Sequence, residues 1–290
     1  MSVTTRILLA ILLPALFSGL GVLASVWAEQ KKLRTRGALF QGFGLVAALT
    51  SAQWAVSGWP PFPPVDVTQA FPYLGLLAIL AGATQASGNR WAWPLSTLVG
   101  ALGLWFLMGP KLRNTWTLAG GTIRLFLVLA GLMLIWYLLS RAGVQDSNQG
   151  PALPLLICIV STVTSVALVV CHSAFLAQLA GAIAAGMFVL AALSLVSSRA
   201  RLNLGGTATV GLFLSGLFLC GSLYASLPAE SALLLACSLL ALGVRLPWLP
   251  NAPGWRMWLY RGVLVVLLAW LAFYRAYSLN SGDLDEYYDY

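Results

Sequence analysis

The chain has 290 residues and a formal net charge of +8, yet only 8% of its residues are charged and 60% are hydrophobic. A soluble globular domain carries roughly 25% charged residues, so this composition excludes a water-soluble surface. The bases gather at the ends of apolar runs rather than along one aqueous face, which argues against a nucleic-acid partner and reads as a set of topology signals. Runs of about 20 apolar residues recur, each long enough to cross the roughly 30 Å hydrocarbon layer as a helix. The expected fold is all-α, a polytopic transmembrane helix bundle of about ten spans, with the lipid bilayer as its solvent.

The first span is expected from about Ile7 to Ala28. It resembles a secretory signal, with Arg6, an apolar stretch and Val26-Trp27-Ala28 as a small-residue cleavage site. The basic run Lys31, Lys32, Arg34 and Arg36 follows immediately and resists translocation, so the segment reads as a retained helix. The second span, Ala38 to Ser57, ends at Trp59-Pro60-Pro61-Phe62-Pro63-Pro64, whose prolines cannot continue a helix. The third, Ala70 to Ala86, stops at Ser87-Gly88-Asn89-Arg90, and the fourth, Trp91 to Met108, is expected to stop at Gly109-Pro110. The fifth runs from about Leu118 to Leu139 and gives way to a polar connection from Arg141 to Pro151. If the single membrane domain, 1–290, has two halves, 1–145 and 151–280, they meet at this connection.

The stretch from Ala152 to Val196 is too long for one crossing, and it folds into the sixth and seventh spans about Cys171-His172-Ser173. The eighth, Leu204 to Ala225, is ended by Pro228; the ninth runs from Ser231 to Val244 and the tenth from Met257 to Tyr277. The acidic tail 281–290 has no apolar periodicity and is expected not to pack. Placing the loops after odd-numbered spans in the cytoplasm assigns eleven bases to that side and five to the other. By the positive-inside rule both termini then face away from the cytoplasm. The expected location is the bacterial cytoplasmic (inner) membrane.

Two segments echo each other, Leu16 to Ala24 and Leu39 to Ala47, and both match G-x-G-x-x-A. A dinucleotide fingerprint needs a preceding strand, so the match carries no nucleotide chemistry, and in a chain this rich in Leu, Gly and Ala the echo reads as coincidence. Ala177, Gly181 and Ala185, and likewise Thr207, Gly211 and Ser215, stand at four-residue spacing and are expected to make tight helix contacts. Cys158, Cys171, Cys220 and Cys237 form no C-x-x-C pair and have no ligand-spaced partner, so they read as packing residues. No cofactor or metal is expected.

All eight acidic residues fall in loops, at span ends or in the tail. The spans thus lack the mid-membrane carboxylate with which many coupled carriers bind a cation, and the paired acids that many enzymes use. Arg124 is the one strongly charged side chain well inside a span; it either reaches the headgroups or attracts an anion into an outward-facing cavity, balanced by Glu230 or Asp66. Arg261 and Arg275 bracket the tenth span as interfacial anchors. Cys158, Ser161, Thr162, Ser165 and His172 fall on one face of the sixth span, where they either line a water-filled path or cement helices. Arg124, Ser161, Thr162, Ser165 and His172 are therefore the candidate solute-cavity residues. The first functional expectation is a small-molecule permease or transporter, and the alternative is a non-catalytic membrane scaffold or subunit with other membrane subunits as partners. An enzyme is not expected.

Overall fold

A computed structural model describes residues 3–59, 64, 66–145, 150–244 and 254–280. The acidic tail and Arg245 lie outside the described residues. Among those described the chain forms ten α-helices: α1 Val3–Gln30, α2 Arg34–Ser57, α3 Phe71–Ala86, α4 Ala92–Asn114, α5 Leu118–Gln145, α6 Ala152–Val170, α7 Ala174–Val196, α8 Leu204–Tyr224, α9 Ala229–Gly243 and α10 Gly254–Asn280. Eight are long and apolar enough to cross a membrane, and α3 and α9 are shorter apolar helices of 16 and 15 residues. The chain is a multi-pass membrane protein built as an all-α bundle.

Local chemistry sets the helix ends. The stretch from Ala152 to Val196 divides where the sequence signals it, because His172 adopts φ +59° and the amide of Ser173 donates back to the carbonyl of Leu168. Lys32 (φ +60°) reverses the chain after α1 in the same way, with the amide of Leu33 donating to the carbonyl of Ala28. Both are Schellman-type closures in which a residue other than glycine occupies the left-handed position. The predicted stop at Gly109-Pro110 does not occur, and α4 continues to Asn114. Pro110 removes the one backbone donor that would serve the Phe106 carbonyl, and one residue further on the Leu107 carbonyl accepts from the Tyr224 hydroxyl at 2.9 Å.

The helices pack around α8. Of its spanning stretch 83% is buried, against 22% for α5 and 28% for α10. Glycines recur in α8 every five residues, and five helical steps turn the face by about 140°. Successive glycines therefore face different neighbours: Gly206 meets Gln41 of α2, Gly211 meets Leu139 of α5, Gly216 meets Phe71 of α3, and Gly221 meets Leu168 of α6. Helices from both sides of the polar connection thus share one core.

The two expected small-residue stripes are corrected in detail. A β-carbon on Gly181 or Gly211 would stand at ordinary distances, 3.6 Å from Ser165 and 3.5 Å from Leu139. The tightest contact of α8 is six residues nearer its start, at Gly205, where a β-carbon would strike the Ala38 carbonyl and where Gly82 of α3 also packs. The echo between the first two helices is likewise more than coincidence. A β-carbon on Gly21 would lie 2.7 Å from the Gly44 α-carbon and 2.9 Å from the Phe40 carbonyl; one on Gly44 would lie 2.7 Å from the Gly21 α-carbon and 2.9 Å from the Phe17 carbonyl. Equal motifs on two antiparallel neighbours meet as a local two-fold, each glycine seated in the other's groove.

Candidate functional site

The predicted cavity residues do not gather round one space. Arg124 is exposed on α5, with its guanidinium 4.7 Å from the centre of the Trp116 ring. Stacking of this kind at an exposed site contributes about 0.5–1 kcal/mol. Its expected counter-charge is engaged elsewhere, since Glu230 pairs with Arg275 at 2.7 Å. Asp66 caps a short turn, Val67–Ala70, with Gln69. Arg124 sits on a helix that packs against α4, α8 and α9, whereas α6 packs chiefly against α7 and α10 and more lightly against α9 and α8.

The face of α6 is split. Ser161 and Thr164 are fully buried and donate to the carbonyls of Ile157 and Val160, both at 2.8 Å. Thr162 is exposed and donates to Cys158 at 2.9 Å. Ser165 alone crosses to another helix, donating to the Ala177 carbonyl of α7 at 2.7 Å. His172 is exposed and serves the turn already described. Hydroxyls that bond the carbonyl four residues back are satisfied without leaving their own helix, which is why a polar stripe legible in the sequence becomes a seal in the bundle. Arg261, expected as an interfacial anchor, is 4% exposed, stacks 4.9 Å from the Trp258 ring and donates from Nε to the Val244 carbonyl at 3.2 Å.

The densest polar constellation lies where the α1–α2 and α7–α8 connections meet. Gln41 grips the second connection from both sides of its carboxamide: Nε2 donates to the Arg201 carbonyl at 3.0 Å, and Oε1 accepts from the Asn203 amide at 2.8 Å. The Asn203 side chain caps α8 by accepting from the Gly206 amide at 3.1 Å, and its Nδ2 donates to Ser25 Oγ at 2.9 Å and to the Gly37 carbonyl at 3.0 Å. Arg201 approaches Glu29 at 3.9 Å, and the charges of Arg34 and Arg199 also act on that carboxylate. Gln41 is 2% exposed, and a buried carboxamide with its hydrogen bonds made both rigidifies and specifies a core. Gln41 and Asn203 stand 162 residues apart, so sequence reasoning had only Asn203 before an apolar run, an N-cap signal.

Several buried polar groups have no hydrogen-bond partner among the described residues: Gln53 Oε1, Trp136 Nε1, Ser215 Oγ, Ser231 Oγ and Trp258 Nε1. Trp136 is 0% exposed and packs in a small second core with Ala81, Val99 and Ala208. Among the described residues no group of three His, Cys, Asp or Glu could hold a metal ion, and the four cysteines are free, with Cys171 and Cys220 buried and Cys237 exposed. Comparison with known protein families, curated proteins and solved structures gave no match.

Proposed function

We propose that this chain is a non-catalytic membrane scaffold or subunit, a packed bundle that offers its lipid-level faces to other transmembrane segments. One observation carries the reading: the hydroxyls of α6, the best candidates for a solute path, are engaged by helix carbonyls and by the Ser165–Ala177 junction. The outer face of α10 supports it. There Val263, Val266, Leu267 and Trp270 form an open apolar strip on one helix, a surface against which another helix could pack.

The permease reading keeps one observation in its favour. Gln53 Oε1 and Ser215 Oγ lack partners among the described residues, and water or a solute group entering the bundle would satisfy them. Solvent access separates the two. In a background without the native cysteines, single cysteines at Gln53, Ser161, Thr164 and Ser215 are treated in native membranes with a small water-soluble thiol reagent. The scaffold reading expects all four to resist, and a photo-cross-linking residue at Leu267 to capture a defined membrane protein. Labelling of Gln53 and Ser161 from one side of the membrane would overturn it in favour of a permease.

A further inference from the structure

Lys31, Lys32, Arg34 and Arg36 lie between or at the facing ends of α1 and α2, and Arg199 and Arg201 lie between α7 and α8. All six are exposed. Basic loops that only set topology need no arrangement relative to one another, but these two are clamped together. Gln41 holds the backbone at Arg201 and Asn203, and Asn203 in turn holds Ser25 and Gly37. Six cations thus share one end of the bundle with Glu29, leaving a surplus of five positive charges among these seven groups.

The cations stand directly above exposed apolar side chains. α1 and α7 are neighbours, running in the same direction with Ser18 bonded to the Gly186 carbonyl. At the basic end α1 exposes Trp27, and α7 exposes Leu195 (74%) and Val196 (88%). A ligand that meets charge and hydrocarbon within one helical turn is itself amphipathic. We infer that the joined α1–α2 and α7–α8 connections form a binding site for an anionic phospholipid, with its phosphate among Arg34, Arg199, Arg201 and Lys31 and an acyl chain against Trp27, Leu195 and Val196. Basic clusters at the ends of transmembrane helices recognise anionic headgroups through this combination, and arginine adds planar, bidentate donation to phosphate oxygens. The clamp pre-positions two loops that would otherwise have to be ordered on binding.

The test uses the full-length protein in mild detergent, titrated with phosphatidylglycerol or phosphatidylcholine and read by native mass spectrometry. Wild type should retain phosphatidylglycerol in preference to phosphatidylcholine. The pair Arg34→Gln/Arg199→Gln should bind it about thirtyfold more weakly for the loss of two surface charges, whereas Lys111→Gln/Arg113→Gln, the same charge change at the opposite end of the bundle, should bind as wild type does. Arg34→Lys/Arg199→Lys should recover most of the affinity. If the glutamine pair proves unfolded, Lys31→Gln/Lys32→Gln on the exposed turn carries the same expectation. Equal retention of the two lipids, equal loss in both glutamine pairs, or displacement of the lipid by an equal concentration of inorganic phosphate would overturn the proposal.

Discussion

The reciprocal seat of Gly21 and Gly44 makes a quantitative prediction. A methyl group on either glycine would stand 2.7 Å from the opposite α-carbon, whereas carbon atoms pack best at about 3.5–4.0 Å. The two helices must therefore separate by about 1 Å along the contact. Overpacking of this kind costs about 1–3 kcal/mol, so Gly21→Ala and Gly44→Ala should each destabilise the purified protein by that amount. Because the obstruction is shared, one separation of the helices serves both methyl groups, and the double variant should lose clearly less than the sum of the single ones. Gly131→Ala is the control, since nothing lies within 4 Å of a β-carbon there. Alanine is the better helix former by up to about 1 kcal/mol, so this variant should be unchanged or more stable. Denaturant titration in detergent, followed by tryptophan fluorescence, reads all four proteins. Equal stability of Gly44→Ala and Gly131→Ala, or strict additivity of the pair, would refute the two-fold contact.

Asn203→Ala removes a helix cap and two bonds to Ser25 and Gly37 and should cost about 2–3 kcal/mol in the same titration; a loss below 0.5 kcal/mol on this scale would show that the clamp adds nothing. His172→Gly should keep or raise stability by up to about 1 kcal/mol, since glycine adopts the left-handed turn without the β-carbon penalty, and a marked loss would point to another role for the imidazole. Arg124→Ala should change stability by no more than about 1 kcal/mol, as expected of an exposed side chain stacked on Trp116. Thiol labelling of cysteines placed at Ser2 and Tyr290 should proceed only from the non-cytoplasmic side, and labelling of either from the cytoplasm would reverse the charge-derived topology.

Composition and apolar run length were enough to determine the class of fold and the approximate place of every helix, because a helix in lipid must satisfy its own backbone within one segment. The division of Ala152 to Val196 was legible for the same reason: two crossings need two lengths of hydrocarbon, and Cys171-His172-Ser173 is the turn signal near its middle. The end of α4 was misread because Pro110 removes only one backbone donor, the one that would serve the Phe106 carbonyl, and the helix continues past it to Asn114. Polar side chains were the least legible. Hydrophobic periodicity reports which residues share a helix face, but not whether a hydroxyl on that face turns to water or back to its own carbonyl. For Ser161 and Thr164 only the packed bundle decided the matter. The same holds for the Gln41–Asn203 clamp and the union of the two basic loops, since pairing across 162 residues depends on which helices become neighbours, and local sequence does not encode that neighbourhood.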